Sequence, residues 1–160
     1  MTHIIFFEKP GCGGNARQRD ALLAAGHTLT QQSLLTTAWT ADSLMPFLGP
    51  LPVPQWFNRA APAVKIGAVQ PHQVDADEAL ALLLAQPLLI RRPLMQRTDL
   101  PGTHPSARHV GFETAAVHAW VGLAHTGEGA AARPSLEGCV GGSATRAAEA
   151  HHCHTPSTGD

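Results

Sequence analysis

The chain has 160 residues, of which 44% are hydrophobic, and its formal net charge is −1 because 11 Lys and Arg side chains oppose 12 Asp and Glu side chains. This length and apolar content suffice for one ordinary domain with a core. The near-neutral charge offers no footprint for nucleic acid or an anionic membrane surface, so we expect neither partner. The N-terminus lacks the pattern of a signal peptide, and the longest apolar run is broken at Gln86 and Pro87, so we expect a soluble, cytoplasmic protein.

The first half of the chain predicts strands alternating with helices. Residues 2–7 are rich in β-branched and aromatic types, which is typical of a buried strand. The segment "NARQRDALLAAG" predicts a helix with Asn15 as its N-cap and Gly26 as a left-handed C-terminal cap. The segments "HTLTQQSLL" and "TADSLMPFLG" then predict a second strand and a second helix that ends at Gly49.

The second half predicts an irregular insertion followed by a helix, a hairpin and a last helix. Repeated prolines over residues 49–71 allow only short helical pieces. The segment "DADEALALLLAQ" predicts a buried helix capped by Asp75. The segments "PLLI", "LMQR" and "RHVGF" predict a β-hairpin interrupted at Pro93, and "ETAAVHAWVGLA" predicts a helix on the sheet. The fold class is therefore α/β, with a mixed sheet.

The composition changes at about His125 to Gly, Ala, Ser, Thr and His, with few large apolar side chains. Such a segment buries too little surface to offset its ordering entropy, so we predict a domain over residues 1–123 and a disordered tail over 124–160. The tail contains "HHCH" around Cys153, and Cys139 lies before it. These residues are potential metal ligands, but their spacing fits no standard zinc pattern, and we predict no metal site. A second possibility is that these cysteines resolve an oxidised intermediate at a distant cysteine.

That distant cysteine is Cys12, which lies in "EKPGCGGNARQ" between a predicted strand and a predicted helix. The N-terminal end of a helix stabilises a thiolate through its unpaired N–H groups and its dipole. Gly13 and Gly14 leave the backbone open to an oxyanion. The alternative interpretation, a small buried residue in a tight turn, fits this loop about equally well. Asn15 occupies the place of a second cysteine, which excludes a C-x-x-C motif.

Other candidate residues carry less specific signals. Trp56, Phe57 and Trp120 lie among apolar neighbours, so we expect them in the core rather than on a partner surface. The histidines of the domain are scattered without a constellation, and we interpret them as surface residues.

Three segments together resemble the arsenate-reductase-like family, the thioredoxin-fold group that also includes the regulator Spx. These segments are "FFEKPGC", "QWFNRAAPAVK" and "LLIRRPLMQ". The resemblance covers residues 2–123, and within the family the segments look most like the nitrogenase-associated subgroup, small proteins encoded alongside nitrogen-fixation genes. It implies a thioredoxin-like fold with a helical insertion.

The resemblance also implies roles for individual residues. Cys12 matches the nucleophilic cysteine, while Arg59 and Arg92 match the first two arginines that hold an oxyanion. Pro93 matches the cis-proline of thioredoxin folds. The family's chemistry implies no bound cofactor, glutathione or glutaredoxin as the reductant, and proteins of the nitrogenase system or glutaredoxin as partners.

The chain departs from the family pattern at two arginines. The arginine expected four residues after the cysteine is replaced by Ala16, and Arg17 is turned by about 100° on a helix, so its help to Cys12 is doubtful. The third oxyanion arginine matches Gly111, whereas Arg108 lies three residues early. Loss of one such donor costs about 3 kcal/mol of transition-state stabilisation.

Two hypotheses therefore remain open. The chain is either a thiol-based reductase-like protein with Cys12 as its nucleophile, or a non-catalytic accessory or regulatory protein of the nitrogenase system that has lost arsenate reductase activity.

Overall fold

A computed structural model describes residues 1–123 of the chain, so the predicted tail lies outside the described residues. Over these residues the strands are β1 (His3–Glu8), β2 (Thr28–Ser33), β3 (Leu94–Arg97) and β4 (Arg108–Val110). The α-helices are α1 (Gly13–Ala24), α2 (Ala41–Leu48), α3 (Pro62–Lys65), α4 (Ala76–Ala85) and α5 (Thr114–Val121). Short 3-10 helices lie at Val53–Trp56, Pro87–Leu89 and Pro105–Ala107. Within residues 1–123, no helix combines the length and apolar character needed to cross a membrane.

The strands form one mixed sheet in the order β2-β1-β3-β4. β1 runs parallel to β2, with His3 opposite Thr28. It runs antiparallel to β3, and β3 is antiparallel to β4. The predicted element order and the mixed sheet of a thioredoxin-like α/β fold are confirmed.

Two apolar clusters cover the two faces of the sheet. The alternating burial along β1 directs Ile4 and Phe6 to one face, where they join Leu22 of α1 and Val117 of α5. The opposite face carries a larger cluster from α2, the insertion and α4. Trp56 and Phe57 are buried there, which confirms the core prediction for both, whereas Trp120 is only partly buried and packs against the first cluster.

Several predicted helix ends are confirmed by their capping contacts. Thr40 accepts a hydrogen bond from the N–H of Ser43 at 3.2 Å, in a reciprocal capping box. The Asp75 carboxylate accepts one from the N–H of Glu78 at 2.8 Å. Gly26 has a φ of 86° after the end of α1, a left-handed conformation that favours glycine.

Three local predictions are wrong. The helix α1 begins two residues before Asn15, because Cys12 is the N-cap and Asn15 lies inside the helix. "PLLI" is a 3-10 helix over Pro87–Leu89, since the proline removes a ladder donor there. The helix α4 is not buried all round, because it packs by one face and buries only Ala79 and Leu83.

One histidine was wrongly assigned to the surface. His27 is 6% exposed, its Nδ1 accepts from the N–H of Thr2 at 3.2 Å, and its Nε2 bonds the carbonyl oxygen of Gly122 at 2.8 Å. The Nδ1 acceptor requires Nε2 to carry the proton. The imidazole thus ties the start of β1 to the end of α5.

We expect His27→Ala to lower the free energy of unfolding by about 2 kcal/mol, because it leaves a buried N–H and a carbonyl without their partner. Urea denaturation followed by circular dichroism measures this loss. The matched control is His72→Ala at an exposed position, which should be nearly neutral. Equal stability of the two variants would contradict a structural role for His27.

Candidate functional site

Cys12 lies in the loop that joins β1 to α1, at the carboxyl end of β1. Its N–H donates to the carbonyl oxygen of Lys9 at 3.1 Å, and its carbonyl oxygen accepts from the N–H of Ala16 at 3.1 Å. As the N-cap of α1 it has extended dihedral angles, and its side chain makes no capping hydrogen bond. The residue is 7% exposed but belongs to neither apolar cluster. Cys12 is therefore a buried residue held at a helix N-terminus.

Asn15 fixes the shape of this loop. Its Oδ1 accepts from the N–H of Lys9 at 3.2 Å, and its Nδ2 donates to Gln18 Oε1 at 2.7 Å. Both side chains are buried. The asparagine that was predicted to cap the helix instead locks the turn before Cys12, a role that its position in the sequence does not reveal.

The charge at the start of α1 favours an anion. The first helical turn contains no acidic residue. Gly13 is exposed, and a Cβ placed on it would lie 3.9 Å from Nη1 of Arg17. The long side chain of Arg17 therefore reaches back along the helix to the residue after Cys12. Arg17 thus adds its charge to the helix dipole there.

A buried carboxyl group at the end of β1 was missed by the sequence analysis. Glu8 is 9% exposed, and its Oε1 lies 3.0 Å from Nη1 of Arg19, which also donates to Gln31 Oε1 at 2.5 Å. Burial raises the pKa of Glu8, and the charge of Arg19 partly opposes this rise. The alternation of buried and half-buried residues along β1 could have predicted that Glu8 is buried, because Glu8 follows Ile4 and Phe6 on the face that packs against α1.

The register of β3 brings the second predicted segment to the same end of the sheet. Phe7 is opposite Leu94, so the antiparallel register places Pro93 beside Glu8, the last residue of β1. The peptide bond between Arg92 and Pro93 is cis, as the resemblance implies. The carbonyl oxygen of Pro93 accepts from the N–H of Gly111 at 2.8 Å.

The predicted arginines differ in their environments. Arg92 is half-buried, and burial lowers the pKa of its guanidinium. Arg59 is exposed in the insertion. Its segment is tied to the residues before Arg92, because Phe57 forms an isolated β-bridge with Ile90 and the N–H of Asn58 donates to Leu89 at 2.7 Å.

Arg108, the arginine nearest to Gly111 in the sequence, contacts Phe47 and Gly102. It lies opposite Gln96, at the far end of β4 from Gly111. Its guanidinium carbon is 5.3 Å from the ring centroid of Phe47, and Nη1 donates to the carbonyl oxygen of Gly102. Gly111 itself has a φ of 79°, a conformation in which an arginine would be strained. The guanidinium of Arg108 therefore lies over Phe47, whose ring centroid is 5.9 Å from that of Phe7.

The remaining cysteines and the metal prediction complete the description of the site. Cys12 is the one cysteine among residues 1–123. The other two cysteines, Cys139 and Cys153, lie outside the described residues, as does the "HHCH" segment. Among residues 1–123, no group of three or more His, Cys, Asp or Glu side chains could hold a metal ion.

Comparison with solved structures assigns the fold class. A 20% identical protein of Bacteroides fragilis related to the ArsC family matches 73% of this chain and 96% of its own chain, with a TM-score of 0.60. A 27% identical ArsC-related protein of Brucella melitensis matches 74% and 93%, with a TM-score of 0.55. The arsenate reductase of Vibrio cholerae, 18% identical, matches 69% and 90%, with a TM-score of 0.54. The chain has the thioredoxin-like fold of ArsC-type proteins.

A sequence relative identifies the family. Over 123 residues the chain is 46% identical to an uncharacterised 15.7 kDa protein from the region 3′ of draG in Rhodospirillum rubrum. The match covers 77% of this chain and 81% of that protein. The chain belongs to the same family as this Rhodospirillum protein. No family model matches the chain.

We expect replacement of Glu8 by Gln to change how stability depends on pH. A carboxyl whose pKa is raised on folding stabilises the protein fully below the pKa of its unfolded state, and this contribution is lost as the pH rises through the folded pKa. Gln does not titrate. The free energy of unfolding of Glu8→Gln minus that of the wild type should therefore increase from pH 4 to pH 7. Urea denaturation across this range measures the difference, and a constant or falling difference would refute the assignment.

We expect Arg17→Gln to slow alkylation of reduced Cys12 by about 2- to 5-fold at pH 7, since a charge at a helix terminus contributes about 0.3–1 kcal/mol. The rate is measured with iodoacetamide in the double variant Cys139→Ser, Cys153→Ser, so that only Cys12 reacts. Arg17→Lys keeps the charge and should recover most of the rate. If Arg17→Gln reacted as fast as its parent, Arg17 would have no electrostatic role.

Proposed function

We propose that the chain is a nitrogenase-associated protein with thiol-redox chemistry at Cys12. The observation that carries this proposal is the position of Cys12 as the N-cap of α1, at the sheet end that also holds cis-Pro93. Backbone N–H groups, the helix dipole and the guanidinium of Arg17 favour a thiolate once the cysteine is reduced. The ArsC-type fold supports the same interpretation.

Arg92 and Arg59 would hold the anionic part of the substrate or a thiol adduct. Guanidinium groups stay charged even when half-buried, and their fixed donors suit an oxyanion. Arg92 is the stronger candidate because it adjoins Pro93, opposite the end of β1. Arg59 lies in the insertion, two residues after Phe57, and the bridge from Phe57 to Ile90 ties this segment to the residues before Arg92.

The reductant and the partners follow from the same comparison. Glutathione or glutaredoxin would regenerate the thiol, with no cofactor bound to the chain itself. The gene region of the Rhodospirillum relative gives loose support for a link to the nitrogenase system. We place the protein in the cytoplasm, where its partners would be proteins of that system or glutaredoxin, and neither nucleic acid nor a membrane.

A second candidate function is a non-catalytic accessory or regulatory protein of the same system. It is favoured by the incomplete arginine set, because the third position is Gly111 with a φ of 79° and Arg108 contacts Phe47 and Gly102 instead. Arsenate reduction would then lack one of the three arginines that hold the oxyanion by charged hydrogen bonds. The two candidates differ in whether Cys12 is reactive.

The pH dependence of Cys12 alkylation decides between them. In the reduced double variant Cys139→Ser, Cys153→Ser, we expect an apparent thiol pKa well below the free value of about 8.5. Cys12→Ser in the same background should remove all labelling. A normal or raised pKa would refute the redox proposal and leave the accessory function. A parallel arsenate reduction assay with glutathione and glutaredoxin should show little activity if the missing third donor matters.

A further inference from the structure

A cavity of about 630 Å³ lies where the end of α2 meets the segment that joins β3 to β4. The rings of Pro46, Pro50 and Pro105 give it an apolar lining, and Arg108 is the only Asp, Glu, Lys or Arg on its wall. Pockets for small molecules have volumes in this range and combine an apolar lining with a few polar groups. The proposed chemistry at Cys12 gives this cavity no role.

Arg108 brings a positive charge to the cavity that no carboxylate balances within residues 1–123. The one acidic residue of the segment between β3 and β4 is Asp99, which lies 2.6 Å from Arg97. Over the described residues, the side chain of Arg108 makes a single hydrogen bond, from Nη1 to the carbonyl oxygen of Gly102. Its Nε is buried without a partner among the same residues. A half-buried guanidinium in this condition is a binding point for an anion, because buried charges are normally paired.

The guanidinium of Arg108 is positioned by contacts that leave Nη2 unused. Its carbon lies 5.3 Å from the ring centroid of Phe47, in a cation–π contact. A Cβ placed on Gly102 would lie 3.7 Å from Nη2. Gly102 itself lines the cavity. Both N–H groups of Nη2 are therefore at the cavity wall.

His104 supplies a second donor on the same wall. Its Nδ1 accepts from the N–H of Ser106 at 3.1 Å, so the proton of the neutral ring is on Nε2. The N–H of His104 donates to the carbonyl oxygen of Pro101 at 2.8 Å, and the indole N–H of Trp120 donates to that of Ser106 at 2.6 Å. These bonds hold this wall in one shape, which lowers the ordering entropy that a ligand must overcome.

We propose that this cavity is a binding site for a small organic monocarboxylate. The carboxylate accepts from Nη2 of Arg108 and from Nε2 of His104, and the hydrocarbon part packs against the three proline rings. One guanidinium neutralises one negative charge, which favours a carboxylate over a phosphate group with a charge of about −1.5 to −2. This site goes beyond the proposed function and does not depend on the chemistry of Cys12.

Amide chemical shifts of the 15N-labelled full chain test the proposal, with benzoate as the probe. We expect saturable shifts at the amides of Gly102, Thr103 and Ser106 in the millimolar range. The variant Arg108→Gln should raise the benzoate Kd at least about 10-fold, because a charge-assisted hydrogen bond is lost. The matched control is Lys65→Gln, which removes an exposed positive charge from α3 and should leave the Kd unchanged.

The variant Gly102→Leu blocks the cavity without removing its charge. Gly102 does not have a positive φ, and its Cβ would make an ordinary van der Waals contact with Nη2 of Arg108. The leucine side chain then occupies the space that the ligand needs. We expect the benzoate shifts to disappear while the urea denaturation midpoint stays close to that of the wild type. This variant keeps the test decisive if Arg108→Gln fails to fold.

Two further probes examine the chemistry of the ligand. Benzamide has nearly the shape of benzoate but no charge, and inorganic phosphate has the charge but no hydrocarbon. We expect both to bind at least about 10-fold more weakly than benzoate. Equal binding of either probe would overturn the assignment to organic carboxylates. Absence of saturable benzoate shifts, or an unchanged benzoate Kd in folded Arg108→Gln or Gly102→Leu, would overturn the site itself.

Discussion

The pairing of β1 with β3 is the constraint on which the candidate site depends. Opposite Phe7 lies Leu94, so the antiparallel ladder carries Pro93 to the carboxyl end of β1. The loop with Cys12 leaves the sheet at the same end and turns into α1. A one-residue slip would exchange the two faces of β3 and so exchange Leu94 and Met95, which pack in different apolar clusters. The apolar clusters on both faces therefore maintain the register and, with it, the position of the site.

Hydrogen bonds then hold the loop in one shape. Lys9 contributes both its carbonyl oxygen to Cys12 and its N–H to Asn15. The side chain of Cys12 makes no capping hydrogen bond. The sulfur therefore does not accept from the N-terminal N–H groups of α1. Anion stabilisation at this place requires little reorganisation, because the donors are already ordered by the helix.

A positive charge on Arg17 and a negative charge on Glu8 lie on either side of the Cys12 loop, and they have opposite effects on an anion bound there. Arg17 extends over Gly13 and favours an anion at the helix N-terminus. Glu8 lies at the end of β1, and its charge is partly neutralised by Arg19. The ion pair limits the cost of keeping a carboxylate at a site that otherwise favours anions. Both charges therefore lie at the cysteine end of the ArsC-type fold.

The sequence by itself determined the element order, the capped ends of α2 and α4, and the cysteine at a strand–helix junction. These features depend on local chemistry: the Thr40 and Asp75 caps act over three residues, and the left-handed Gly26 acts at one. The resemblance carried by "LLIRRPL" also indicated the cis-proline correctly. Such signals are readable because each involves residues close together in the chain.

Only the tertiary structure decided what these residues meet. His27 looked like a surface histidine until β1, β2 and α5 closed around it, and Asn15 looked like a cap until its amide bonded Lys9. The reach of Arg17 to Gly13 and the diversion of Arg108 to Phe47 likewise depend on side-chain direction in the assembled fold. Burial and partner choice are set by packing between segments distant in sequence, and no local pattern encodes them.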